Sequence, residues 1–389
     1  MEKIKTILAI LGIILFNSCT TEKHINQIPE IKIVEKGDLI FSLDDSTTEN
    51  MEYSQYFQRN DSNIFAFTNR YDNSIVFYDY DTRKYIDRIC YHKEGGDGVG
   101  SLFSFYYINE DSVYLYHFNF RTLYHTNSKG RVLKKHQINV FPNPSPDSLF
   151  LAPILFPRTL SPLRMVNDEV LISGFLMAEV EGENEENRPV MTYYDLKTGN
   201  IRHSDSYPVI YHKGYWGGDF IWRNPYYTLS PKNEIILSFS ADHNIRVHGF
   251  TNTKYKEYYA GNGDDLEFEP IESSIPIDTR IPEEQCHRHY VENLNYGPIL
   301  YDKYRKIYYR IAFLPDYTID IRKKPIRKPV GIIVLNEKFE IIGKCSLPKA
   351  DYWINQCFVG EEGLHIQIQS DNEDELKFKT FMIDEFNGI

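Results

Sequence analysis

From residue 31 onward the chain alternates short apolar runs with polar turns, at spacings that suit strands. "SIVFYDY" (74–80) is dense in β-branched and aromatic residues, "DYDTRK" is a turn, and "YIDRICY" (85–91) is a returning strand. The same phrase recurs at 113–117, 122–126 and 132–138, around a turn at 127–130. It returns in "DEVLISGF" and "PVMTYYDLKTGNIRHSD", in "NEIILSFSADHNIRVHGF", in "RKIYYRIAF" with "VGIIVLNEKFEIIGKCSL", and in a closing "EGLHIQIQ" with "LKFKTFMID". No run shows helical periodicity over a useful length, so no long amphipathic helix is expected. Self-similarity at about 40–45 residues marks a four-stranded repeat unit. Insertions at 181–188, 261–285 and 315–329 lower the number of units that fit. The pattern predicts an all-β chain folded as a β-propeller of six blades, with seven as the alternative count. The early strand at 31–40 is expected to complete the last blade. A two-sheet β-sandwich arrangement fits the same strand list and stays open at this level.

The first residues differ in kind. "MEKIK" is a basic n-region, and "ILAILGIILF" (7–16) is an apolar stretch of signal-peptide length, short of the ~20 residues that span a bilayer. Ser18 then precedes Cys19 in "FNSCTTEK". That placement resembles the lipobox of bacterial lipoproteins, with Phe16 and Asn17 in place of the commoner Leu and Ala. The resemblance implies cleavage before Cys19, lipid attachment to its thiol, and anchoring at the cell envelope as an outer-membrane lipoprotein, facing the periplasm or the cell surface. The expected organisation is a leader at 1–18, a lipidated tether at 19–30 and a single propeller domain at 31–389. Each buried CH₂ of an acyl chain adds about 0.8 kcal/mol to membrane affinity. Four further cysteines, Cys90, Cys286, Cys345 and Cys357, allow three full pairings in an oxidising compartment. Isolated thiols are the simpler expectation, because a chain of this size does not need staples.

Composition narrows the partners. The 389 residues are 42% hydrophobic and 15% aromatic, enough for a large core, and the formal charge of −12 argues against a nucleic-acid partner. The basic stretch "IRKKPIRKP" (321–329) reads as a solvated loop between prolines. "HKEGGDGVGSLFSF" (92–105) first suggests a phosphate cradle. A dinucleotide loop needs G-x-G-x-x-G at the mouth of a helix; here Gly96, Gly98 and Gly100 miss the spacing and a strand follows. Glu94 and Asp97 would also repel phosphate. The segment is expected to hand the chain from one blade to the next, with glycines taking positive φ.

That phrase, the lipoprotein leader, "NEDSVYLY" and "YDKYRKIYYR" (301–310) together resemble a Bacteroidetes lipoprotein family of unknown function, the DUF4221 type, with six-bladed-propeller character. The resemblance covers essentially the whole mature chain, and it supplies no activity and no catalytic residues.

Candidate chemistry is sparse. In "CHRHY" (286–290), His287 and His289 would share one face of a strand, and with His212, His243 or His248 from another blade they could hold zinc. Tyr301, Tyr304, Arg305, Tyr308, Tyr309 and Arg310 could line a central funnel, where an arginine meets a carboxylate. Trp216, Trp222 and Trp353 could stack on a sugar ring or sit in the core. "DYD" at 79–81 and "NGDD" at 262–265 suit calcium or ordinary Asx turns. No nucleophile elbow, H-E-x-x-H, C-x-x-C or EF-hand loop occurs, so no catalytic residue, resident metal or cofactor is assigned. The expectation is a membrane-anchored binding or scaffold module for a peptide, glycan or protein. The alternative is a funnel enzyme of the metal-assisted lactonase or lyase kind.

Overall fold

Strands form where aromatic and β-branched residues cluster, and turns form where Asn, Asp or Gly accept positive φ, as at Asn60, Asn73, Gly130 and Gly199. The computed structural model describes residues 28–140, 153–176, 188–212, 214–216, 222–252, 254–263, 267–271 and 281–384. The leader, Cys19 and most of the insertion at 181–188 lie outside the described residues, as does part of 261–285.

Among the described residues the strands form six antiparallel sheets. Blade 1 is β2 (Ser54–Arg59), β3 (Ser62–Asn69), β4 (Ser74–Asp79) and β5 (Tyr85–Cys90). Blade 2 is β6 (Ser104–Asn109), β7 (Ser112–His117), β8 (Thr122–Thr126) and β9 (Val132–Gln137). Blade 3 has a divided inner strand, β10 (Ile154–Leu155) and β11 (Arg164–Val166), both paired with β12 (Glu169–Phe175); β13 (Pro189–Asp195) and β14 (Ile201–Ser206) follow. Blade 4 is β15 (Tyr226–Leu229), β16 (Glu234–Ser238), β17 (Asn244–Gly249) and β18 (Lys256–Tyr259). Blade 5 is β19 (Asn295–Asp302), β20 (Ile307–Phe313), β21 (Val330–Asn336) and β22 (Ile341–Ser346). Blade 6 runs β23 (Tyr352–Gly360), β24 (Gly363–Ile368) and β25 (Glu375–Ile383), and β1 (Ile33–Ser42) is its outermost strand. The chain is therefore a six-bladed β-propeller rather than a pair of sandwiches. Its ring is clasped by β1 on β25, paired antiparallel from Ile33 opposite Ile383 to Ser42 opposite Glu375, with a bulge between Glu35 and Gly37.

The core is a ring of seams. Middle strands are buried on both faces, as in β4, whereas the outer β5 is largely exposed. Phe77 and Ile64 of blade 1 pack on Phe105 and Leu115 of blade 2. Ile332 and Val334 of blade 5 likewise pack on Leu364 and Ile366 of blade 6, and Phe41 and Phe378 of blade 6 on Phe65 and Phe67 of blade 1. Burying such faces between twisted sheets is what closes a propeller.

Two elements depart from the all-strand expectation among the described residues, a short 3₁₀ turn at Val209–His212 and a longer helix. Residues Glu283–Glu292 form a helix, α1, on the connection from blade 4 to blade 5. Its only buried residue is Val291, so no apolar stripe announced it. The local signal was Pro282 followed by Glu283 and Glu284, with His289 in the last turn, charges that match the helix dipole. Cys90, Cys286, Cys345 and Cys357 are all free thiols, the last two buried.

Candidate functional site: a plugged axial channel

The glycine phrase sits between β5 and β6, where the chain passes from blade 1 to blade 2. Its backbone folds on itself through Gly98 N to Gly95 O (3.1 Å) and Val99 N to His92 O (2.9 Å). Asn73 pins both ends, donating to Tyr91 O and Gly100 O and accepting from Leu102 N. Gly100 has φ +76°, and a Cβ there would lie 2.7 Å from the His117 ring. It is a corner, as its spacing implied.

Most of the predicted site residues serve the frame. On α1, His287 and His289 are two residues apart, about 200° around the helix rather than on one strand face. His287 faces Glu283 (3.6 Å) and Lys324, while His289 reaches Glu269 O (2.8 Å) and packs 5.0 Å from the Trp222 ring. The shared face on which the zinc reading rested is thus replaced by two divergent ones. Among the described residues no three His, Cys, Asp or Glu side chains converge on a metal position. Trp216 and Trp222 are core residues, 0% and 2% exposed, and not sugar platforms. Asp79 accepts from the backbone and hydroxyl of Thr82, an Asx turn.

Arg305 bonds Asp302 (3.0 Å) and Glu361 O (2.8 Å), tying blade 5 to blade 6. Arg310 is fully buried at the seam of blades 4 and 5, where its expected carboxylate is replaced by neutral acceptors. The guanidinium lies 4.0 Å over the Tyr296 ring and donates to Ser238 Oγ and to the carbonyls of Phe239, Asp242, His243 and Ala260. Burial pulls its pKa down to about 10, partly offset by Tyr296 and Asp242. Tyr301 touches the axial cavity, but its ring packs on Tyr308 in the seam of blades 4 and 5 (4.8 Å) and its hydroxyl donates to Glu337 (2.7 Å).

The axis itself holds what sequence reasoning missed. Between β10 and β11 the blade 3 inner strand leaves its sheet as "PRTLSPLR" (157–164) and makes a tight turn, with Arg158 and Ser161 exchanging backbone hydrogen bonds of 3.1 and 3.0 Å. Thr159 reaches the opposite blade: its hydroxyl donates to Gln356 of β23 (3.0 Å) and accepts from Ser54 N of β2 (3.1 Å). Ser161 Oγ donates to Pro225 O (3.0 Å), the Tyr227 hydroxyl donates to Pro162 O, and Leu163 N donates to the Tyr53 hydroxyl (3.2 Å). Leu160 is buried in the blade 5–6 core. Anchored on blades 1, 4 and 6, the turn plugs the channel and divides it.

On one side lies a cavity of about 240 Å³, lined by β2, β15, β19, β23 and the plug, with Arg164, Tyr56 and Tyr301 in its wall. On the other lies a mouth cavity of about 370 Å³, at the starts of β15, β19 and β23. Its wall carries Arg158 from the plug, Arg327 and Lys328 from the blade 5 insertion, and Tyr290 from α1. No Asp or Glu lines it among the described residues. Arg158 lies 4.9 Å over the Tyr226 ring and donates to Pro225 O (3.0 Å). Arg327 lies 4.9 Å over Trp353, donates to Tyr352 O (2.6 Å), and has Asp351 at 3.8 Å outside the rim. Burial pushes both guanidiniums below their usual range, yet arginine stays charged at neutral pH. Burial also pulls Lys328 well down. Its amine nevertheless meets Tyr290 O (2.8 Å), Asn293 O and Asn295 Oδ1 (2.8 Å), three acceptors that only an ammonium can serve. It thereby closes the C-terminal end of α1 onto β19. Trp353 is the exposed tryptophan, at 38%.

A six-bladed propeller with a plugged channel and a cation-lined mouth is the class of molecule these features define. The DUF4221 family model, a domain of unknown function, matches residues 30–344, and the chain belongs to that family. It is similar to a DUF4221 member from Bacteroides vulgatus, known from a crystal structure, with TM-score 0.76 and 23% identity over 92% of this chain and 99% of that one. A Bacteroides fragilis protein classed provisionally as exported aligns with TM-score 0.56 and 10% identity, over 92% of this chain and 99% of its own. These likenesses carry the fold. No curated protein matches the chain. No helix among the described residues is long and apolar enough to cross a membrane.

Proposed function

We propose that this protein is an exported, lipid-anchored binding module of the cell envelope, held at the outer membrane through Cys19, that receives a glycan, peptide or protein partner at the mouth cavity. The observation that carries the reading is the mouth itself. It is a concave site of ligand-binding size, walled by Tyr226, Tyr290, Tyr352 and Trp353 with a few cations and amides, the composition expected of a recognition site. The leader and Cys19 support the address. The funnel-enzyme alternative finds no converging ligand set among the described residues to carry it.

Two measurements test the proposal. Cys19→Ala should leave the protein soluble after cell fractionation; unchanged membrane retention would end the anchoring claim. Emission from Trp353, isolated by subtracting the signal of Trp353→Phe, should shift with at least one member of a panel of neutral, acidic and basic sugars and tripeptides. A silent panel would overturn the mouth as the binding site.

A further inference from the structure

We infer that the mouth cavity selects a carboxylate-bearing ligand of about monosaccharide size, its anionic group held between Arg158 and Arg327. The inference rests on the mouth being the binding site and adds the chemistry of what enters.

The chain as a whole is acidic, at −12, yet the charged side chains lining this cavity are Arg158, Arg327 and Lys328 alone among the described residues. An acidic protein that gathers only cations around a cavity has reversed its local potential there, and low-dielectric walls concentrate that field. The donors are not used up. A guanidinium carries five N–H groups; Arg158 spends one on Pro225 O and Arg327 one on Tyr352 O, with Asp351 only a distant, 87% exposed partner at 3.8 Å. Each guanidinium also lies over a ring, Tyr226 or Trp353, which holds it in place, and Arg158 further interacts with the Tyr226 side chain, leaving donors on both still free. Planar, oriented forks with spare donors suit a carboxylate, which accepts two parallel hydrogen bonds. Lys328 stands differently: its three protons go to protein oxygens, so it holds the wall and contributes field rather than a ligand contact.

Size and surface separate an organic anion from an inorganic one. At about 370 Å³ the cavity far exceeds what a bare phosphate or sulfate fills. Much of the remaining wall is flat and apolar, from Phe313, Tyr352, Trp353 and Ile354, and Asn355 adds a hydroxyl-matching amide at the rim. Those surfaces fit the face and hydroxyls of a sugar ring that carries the carboxylate.

The experiment uses the protein from Thr20 onward and reads Trp353 emission and calorimetry with three probes: glucuronate, glucose and sulfate. Glucuronate should bind at least tenfold more tightly than glucose or sulfate, and Arg158→Gln and Arg327→Gln should each weaken it about tenfold with the Tm essentially unchanged. Raising salt from low to physiological strength should weaken glucuronate further. Equal binding of glucose and glucuronate would overturn the anion assignment while leaving the mouth as a binding site. Sulfate binding as tight as glucuronate would overturn the organic ligand. No response to any probe, where the wider panel does respond, would overturn the inference alone.

Discussion

Arg310 and Arg158 are both arginines withdrawn from bulk water and stacked on tyrosine rings, at 4.0 and 4.9 Å, yet they do opposite things. Arg310, in the closed seam of blades 4 and 5, has its donors taken by a hydroxyl and four carbonyls, so its charge is spent inside the protein. Arg158, on the plug, donates to one carbonyl and faces a cavity. The difference separates a staple from a receptor. A guanidinium with filled donors welds two sheets; one with unfilled donors is a place for something else to bind.

The largest effect should come from the staple. Arg310→Ala takes the guanidinium's donors from five acceptors, of which His243 O keeps Ala260 N, and leaves a hole beneath Tyr296, a cost on the order of 3–5 kcal/mol that urea unfolding would register. A loss below about 1 kcal/mol would mean that the seam relaxes freely, and the contrast would fail. A seam of the same closed kind lies between blades 6 and 1, where His365 Nε2 meets the Tyr80 hydroxyl at 2.7 Å and Nδ1 meets Thr380 at 2.9 Å. Burial, helped by Arg83 and Arg305, holds the His365 pKa down to about 3. In the unfolded chain the imidazole takes a proton near 6.5, so its contribution is complete above that pH and fades as pH falls from 6.5 toward 3. The Tm should therefore drop between pH 7 and pH 4.5 by several degrees more than that of His365→Gln; parallel profiles would contradict a sealed histidine.

The plug lies between the two regimes. Thr159→Val removes one hydroxyl that serves blades 1 and 6 together, and should cost about 1–2 kcal/mol. If it also alters Trp353 emission, the plug and mouth are coupled. At the mouth the effects on stability should be least. Arg158→Ala should cost about 1 kcal/mol through lost packing on Tyr226, and Arg327→Ala should stay within about 0.5 kcal/mol. Both should nonetheless abolish most anion binding. Mouth variants as damaging as Arg310→Ala would show that these arginines are staples too.

The strand frame was legible because each blade states its own pattern. The turn at 127–130 and the strands at 122–126 and 132–138 depend on local Asn, Gly and aromatic placement, and the structure has them as Thr122–Thr126 and Val132–Gln137. The closing role of the early strand and the corner at Gly95–Gly100 were equally local in origin. The helix at Glu283–Glu292 escaped because its hold on the fold is Val291 and Lys328, 38 residues beyond Tyr290, not an apolar stripe. The mouth escaped for a deeper reason. "IRKKPIRKP" reads as solvated charge, and Arg322 and Lys323 are indeed exposed. Arg327 and Lys328 turn inward only because Trp353, Tyr290 and Asn295 stand there, and those partners lie in other elements. Likewise "PRTLSPLR" looks like a loop with two prolines; that Thr159 meets Gln356, almost two hundred residues away, depends on ring closure alone. The exposed tryptophan is Trp353, at the mouth cavity, while Trp216 and Trp222, in the richer aromatic setting, went to the core.

The clasp of β1 on β25 carries a consequence in time. Ile33 pairs with Ile383, so the first described strand in chain order depends on the last. Blades 1 to 5 draw on contiguous stretches of chain and can condense locally, but the sixth must bring together strands from opposite ends of the described residues. Until then Phe41 has no Phe378 beside it, and the blade 1 face meant for that seam stays uncovered. The ring thus withholds its final cooperative step until both ends meet, and a chain lacking β25 is left open and recognisable to proteolysis.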